Sequence, residues 1–152
     1  LALYGVHPGV VWDVRVDGSL GVVRVDADQM RRALINLIDN AVAAIRGVGT
    51  IGIVARPWAG PGSLRVEVAD TGPGIDAAQR EKVFTPYFST KPRGTGLGLA
   101  IVQRIVVEHR GSIRVEGNPG GGARFILEIP GDGTLGVARA DAPQQTGGID
   151  ES

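Results

Sequence analysis

The shortness of the links between its apolar strands restricts this chain more than any other feature. Thr50 to Arg56 and Ser63 to Ala69 read as strands, the second alternating Leu64, Val66 and Val68 with Arg65 and Glu67. Only Pro57-Trp-Ala-Gly-Pro-Gly62 joins them. Ser112 to Glu116 and Ala123 to Ile129 read the same way and are joined through Asn118-Pro-Gly-Gly-Gly122. A parallel crossover needs about a dozen residues or more, so these neighbours must run antiparallel.

Upstream, Val10, Trp12, Val14 and Val16 share one face of a strand over Val10 to Asp17, which the spacing predicts to be half-buried. Asp17-Gly18 is a turn signal, and Gly21 to Val25 reads as a second short strand. A helix then opens at Asp26-Ala-Asp-Gln29, a capping-box pattern with Val25 and Met30 placed as a hydrophobic staple. Met30, Leu34, Leu37, Ala41 and Ile45 form its apolar stripe, and Gly47 and Gly49 end it. Ala77 to Val83 is at best a short polar helix, and Phe84 to Thr95 is a loop. Leu97 to His109 is the most apolar helix and is expected to be buried, with Gly111 as its stop.

The order is β-β-α-β-β-(α)-loop-α-β-β. The expected class is α+β: a two-layer α/β sandwich whose mixed, mostly antiparallel sheet carries the helices on one face. A chain of 152 residues, 43% of them hydrophobic, suffices for one domain with a real core. The expected division is 1–9 as the end of a linker, 10–130 as the domain, and 131–152 as a disordered tail poor in apolar residues. The chain starts at Leu1 without a signal-peptide pattern and reads as a domain excised from a longer protein. Zero net charge gives no electrostatic case for nucleic acid or an anionic membrane surface. The absence of cysteine excludes disulfides, thiolate metal sites and cysteine nucleophiles.

Three segments carry chemistry. Asn36-Leu-Ile-Asp-Asn40 puts two amides at i, i+4 on one helix face, beside an apolar stripe. An amide oxygen is a neutral hard ligand suited to Mg²⁺; the competing structural role is capping or bridging of backbone groups. Asp70-Thr-Gly-Pro-Gly-Ile75 sets a carboxylate at a strand end, where it can accept from an adenine amine, before glycines that permit a sharp turn. Taken alone, an ordinary Asp-Thr-Gly turn is the commoner case. Gly94-Thr-Gly-Leu-Gly-Leu99 runs into the apolar helix, where exposed amides suit phosphate oxygens or where glycines simply make a hinge. Lys91 and Arg93 precede it and can neutralise phosphate charge. Phe84, Pro86, Tyr87 and Phe88 are placed as a docking surface or loop anchor. His7 and His109 read as structural, His109 as a cation favoured by a helix C-terminus.

These segments resemble the catalytic ATP-binding domain of bacterial sensor histidine kinases, in the superfamily shared with gyrase, the Hsp90 chaperone and the MutL repair protein. Asn36 to Asn40 is similar to the N box, Asp70 to Ile75 to the G1 box, Phe84 to Phe88 to the F box and Gly94 to Leu99 to the G2 box. The wording Pro86-Tyr-Phe-Ser-Thr-Lys91 is similar to nitrogen-regulation kinases of the NtrB and NtrY kind. The resemblance implies the Bergerat fold, with ATP and Mg²⁺ as cofactors. It implies that Asp70, Gly72, Gly74 and Ile75 bind the base. It gives Asn40, assisted by Asn36, the metal, and Gly94, Thr95, Gly96, Leu97, Gly98, Leu99 and Lys91 the phosphates. Asn36, Asn40 and Lys91 are then the catalytic set.

The implied activity is transfer of the γ-phosphoryl to a histidine on a dimerisation domain outside this chain, then to the receiver domain of a response regulator. The implied setting is a cytoplasmic domain, monomeric alone, of a homodimer that is soluble or anchored in the inner membrane. Three departures stand out. Hydrolysing relatives carry a glutamate where Asn36 stands, many kinases a lysine where Ala43 stands, and several relatives a threonine where Ala123 stands. A nucleotide-sensing module without transfer, or a hydrolytic ATPase of the same fold, are the alternatives.

Overall fold

The computed structural model describes residues 7–88 and 96–131. Strands β1 (Val10–Val16), β2 (Gly49–Arg56), β3 (Leu64–Asp70), β4 (Ser112–Gly117) and β5 (Ala123–Ile129) form one sheet in the order β1-β2-β3-β5-β4. Helices α1 (Ala27–Ala44) and α2 (Gly98–Glu108) pack on one face of it and against each other. Pairings β2–β3 and β5–β4 are antiparallel, as the short links require, and β3 also pairs antiparallel with the distant β5. β1 pairs with β2 in parallel, because α1 carries the chain back between them as a crossover. The α+β two-layer expectation therefore stands, with a mixed sheet.

Several local expectations need correction. Gly21 to Val25 is not a strand: it returns the chain from the end of β1 to the start of α1, with Val23 and Val25 packed on the core unpaired. In β1 only Val10 and Trp12 are half-buried; Val14 and Val16 are exposed, since β1 is the sheet edge. The segment Ala77 to Val83 forms two 3₁₀ turns, Ala77–Gln79 and Lys82–Phe84. Helix α2 is amphipathic: Val102, Ile105 and Val106 are buried, and Val107 is exposed. Arg110, not Gly111, takes the left-handed conformation that ends α2, at φ 60°. The Arg110 N–H donates to Val107 O and the Gly111 N–H to Val106 O, a Schellman arrangement. Phe84 is a core residue whose ring stands edge-on to Phe125 at 6.1 Å, whereas Tyr87 is exposed.

Asp26 caps α1 as the sequence predicts, its carboxylate accepting from the Gln29 N–H at 3.1 Å. Met30, Ala33, Leu37 and Ala41 bury one side of the helix against the sheet and α2. His109 ties the far end of α2 to this cap. Its Nε2 accepts from the Asp26 N–H at 3.0 Å, so its Nδ1, 2.8 Å from Ile105 O, carries the proton. The imidazole in this arrangement is neutral, not the helix-end cation that the sequence suggested. His109→Ala should destabilise the domain by about 1–2 kcal/mol, read as a lower urea midpoint with an unchanged slope. No change in midpoint would make the contact incidental.

The opposite face of the sheet carries a closed circuit of charge. Arg65 binds Glu128; Glu128 accepts from Arg114 at 3.1 Å; Arg114 meets Glu116 at 2.9 Å. Glu116 meets Arg124 at 3.0 Å, Arg124 meets Glu67 at 3.4 Å, and Glu67 closes on Arg65 at 3.8 Å. Ile126 lies inside this ring, paired across to Glu67 and Arg114 and 2% exposed. No described helix is long and apolar enough to cross a membrane.

Candidate functional site

α1 runs along one wall of a cleft of about 350 Å³, with the turn after β3 and the start of α2 as its other walls. One end is set by contact between the two helices. Asn36 Nδ2 donates to Arg32 O at 3.0 Å, so its amide oxygen is left to face outward from the helix. That oxygen lies against Gly98, 3.2 Å from where a Cβ would stand. At the other end the turn after β3 meets the last turn of α1. A Cβ on Gly72 would stand 2.6 Å from Ala44 O, so this close approach needs glycine. From Asn36 to Ala44 the helix rises about 12 Å, roughly the reach of a nucleotide.

Asp70 ends β3, 2% exposed, with its carboxylate toward the cleft. Its Oδ1 accepts from the Gly72 N–H at 2.9 Å and the Ala123 N–H at 3.3 Å. Asn118 Nδ2 donates to Asp70 O at 3.0 Å. The carboxyl group is thus fixed by backbone N–H groups of its own turn and of β5, and so held it is pre-oriented for a donor arriving from the cleft. Ile75, Val83 and Leu99 give the cleft an apolar lining. At its rim the Tyr87 N–H donates to Gly96 O at 2.8 Å, and Gly96, at φ 74°, packs so closely on the Tyr87 backbone that no Cβ fits.

A cleft with amides along one wall and a buried, backbone-held carboxylate at the end of a strand is a nucleotide-sized site. The profile of the histidine kinase-, DNA gyrase B- and HSP90-like ATPases matches residues 25–133. The chain belongs to that family.

Within this ATPase family it is an ATP-binding domain of the histidine-kinase type. It is 48% identical over 111 residues to the sensor histidine kinase ZraS of Klebsiella oxytoca, covering 73% of this chain and 24% of ZraS. It is 41% identical over 138 residues to the sensory histidine kinase/phosphatase NtrB of Rhodobacter capsulatus, covering 84% of this chain and 38% of NtrB. The solved catalytic domain of histidine kinase ThkA superposes with a TM-score of 0.72 at 36% identity, covering 81% of this chain and 80% of that one. ThkA has also been solved in complex with the response regulator TrrA; there the TM-score is 0.68 at 32% identity, covering 80% of this chain and 34% of that one. The chain thus spans 24% of the length of ZraS.

Of the residues singled out from the sequence, Asn36, Asn40, Asp70, Gly74, Ile75, Gly96, Gly98 and Leu99 all line this ATPase cleft. Gly72 lines a smaller hollow beside it, and Leu97 precedes α2 and accepts from the Ile101 N–H without lining either. Lys91, Arg93, Gly94 and Thr95 lie outside the described residues. Ala43 and Ala123 do line the cleft, so both departures fall at the site itself.

Sequence reasoning missed three polar lining residues: Asp39, Arg46 and Gln79. Asp39 was within reach of helical spacing, three residues after Asn36. Arg46 follows the end of α1, and Gln79 sits in a 3₁₀ turn, where no periodicity marks which way a side chain faces.

Proposed function

We propose that this domain binds Mg-ATP and passes its γ-phosphoryl to a histidine on a dimerisation domain of the same full-length protein. The observation that carries this is the buried Asp70 carboxylate at one end of the cleft and the Asn36 amide, against the start of α2, at the other. Asp70 accepts from the adenine amine, Gly72 and Gly74 let the ring approach, and Ile75 packs on it. Asn40, assisted by Asn36, holds Mg²⁺ through amide oxygen. The donor set fits a magnesium carried in by its nucleotide: a hard neutral oxygen completed by phosphate and water. The described residues hold no cluster of three acidic or histidine groups that would bind the metal alone. The G2 segment Gly94 to Leu99, with Lys91, receives the phosphates.

An amide at 36 cannot take a proton from water as a carboxylate does, which favours transfer over hydrolysis. In this reading residues 10–130 are the catalytic unit, 1–9 lead from the histidine-bearing domain, and 131–152 form a tail. The domain alone is monomeric and cytoplasmic; the whole protein is a homodimer whose phosphohistidine is read by a response regulator receiver domain. The test is to supply the histidine-bearing domain with ATP and Mg²⁺. Acid-labile phosphate should form on that domain and not on His7 or His109, and Asn40→Ala should remove the gain in ADP affinity that Mg²⁺ brings more than it removes ADP binding itself. Nucleotide binding without transfer would leave a sensing module; release of inorganic phosphate without phosphohistidine would make the domain a hydrolase.

A further inference from the structure

Arg46 is a residue with no assigned role that stands in the cleft. Among the described lining residues it is the sole cation, beside Asp39 and Asp70. It is exposed and makes no hydrogen bond or ion pair among the described residues, so its guanidinium is not committed elsewhere. Its position along the cleft is defined. Asn36 marks the end beside α2, and Ala44 marks the end beside Gly72. Arg46 follows Ala44 by two residues and also lines the adjoining hollow, with Thr71, Gly72 and Pro73. It therefore belongs to the Asp70 end, past the about 12 Å of helix rise that separates Ala44 from Asn36.

We propose that Arg46 is a specificity-determining residue for the nucleoside half of the ligand. Its planar guanidinium lies across the open face of the base and donates to the ribose hydroxyls, closing the side of the cleft that Asp70 does not reach. This rests on the reading that the Asp70 end holds the base. Two properties suit the role. A guanidinium stacks on an aromatic face and keeps five donors for oxygen acceptors. Ala43 leaves the neighbouring wall of the cleft without a long side chain.

The two competing roles for an arginine here predict different patterns. A phosphate contact would matter more as phosphates are added, because the interaction is between full charges. A helix-end charge, placed to complement the C-terminus of α1, would act on stability and not on ligand. A base-and-ribose contact acts equally on every ligand that shares the nucleoside.

The experiment is competitive displacement of a fluorescent adenine nucleotide by adenosine, ADP and ATP, using the wild type, Arg46→Ala, Arg46→Lys and Asp70→Asn. Arg46→Ala should weaken all three ligands by the same factor, about 3- to 10-fold, without lowering the melting temperature. Arg46→Lys should recover less than half of that loss on a logarithmic scale, since an ammonium neither stacks as a plane nor forks. A loss that grows from adenosine to ATP would overturn the proposal in favour of a phosphate contact. A lower melting temperature with unchanged affinities would overturn it in favour of a helix-end charge. The underlying base assignment has its own readout: unaltered adenosine affinity in Asp70→Asn would reject that reading whatever Arg46 does.

Discussion

Asp70→Asn should weaken ATP by about 10- to 150-fold, the equivalent of the 1.5–3 kcal/mol carried by a hydrogen bond to a charged group. The substitution isolates the ligand contact. Asn retains one amide oxygen for the Gly72 and Ala123 N–H groups that Oδ1 now satisfies, so the turn after β3 keeps its supports. On the proposed base assignment, what changes is the oxygen offered to the ligand, which becomes an NH₂ group opposite the adenine amine, donor against donor. The discriminating ligand is inosine triphosphate, whose ring carries a carbonyl where adenine carries the amine. The variant should lose its preference for ATP over the inosine analogue, and circular dichroism should report an unchanged fold. Equal loss for both nucleotides would mean that Asp70 acts only through the backbone it holds.

Glu128→Ala should be the most destabilising removal of a single charge from the outer face of the sheet. Glu128 is 6% exposed and is the partner of both Arg65 and Arg114. Removing one member of a buried pair costs about 3–5 kcal/mol because the other charge is left uncompensated; with the Arg114 side chain 44% exposed, solvent screens part of this, and about 2–3 kcal/mol is expected. In a thermal scan that is a fall of about 5–12 °C.

The same ring sets an acid limit. Burial pushes the Glu128 carboxyl up, but hydrogen bonds from Arg65 and Arg114 outweigh it and hold the group below its ordinary value. Glu116 is lowered too, by Arg114 and Arg124. A carboxylate lowered on folding stabilises fully above its unfolded value of 4.5 and progressively less as pH falls through the lower folded one. Wild type should therefore lose stability below about pH 4.5 more steeply than Glu128→Gln. Parallel acid transitions would show that the ring contributes nothing.

Both helices and the antiparallel links could be read from the sequence because their cues are local. Asp26 with Gln29, the stripe from Met30 to Ala41, and links too short for a crossover each fix a single answer. The parallel β1–β2 pairing could not be read that way, since it depends on where α1 docks. Gly21 to Val25 has a strand composition yet joins no strand of the sheet, because which sheet edges are free is decided by the whole topology. Phe84 was misjudged for a similar reason: its sequence neighbours are polar, but Phe125, which its ring meets, lies on the last strand. At the site, residue types with a restricted chemistry stood out, namely the amides and the carboxylate followed by glycine. Arg46 and Gln79 did not, because an exposed arginine or glutamine is ordinary and only the folded chain puts them at a cleft.

The seam between β3 and β5 joins segments that are distant in the chain, Leu64 pairing with Ile129 and Ala69 with Arg124. Such pairings form late, since a long loop must close before any contact rewards it. Asp70 sits on that seam, held by its own turn and by Ala123 of the last strand. A half-folded chain with α1 and the β2–β3 hairpin already formed would have the carboxylate but not its orientation. On the proposed base assignment, nucleotide should therefore have affinity for the finished domain and little for its precursors. It adds stability as its concentration exceeds its dissociation constant, and it slows the opening of the last seam to close. In a cell stocked with ATP, the ligand that the domain binds should also act as the clasp that keeps it folded.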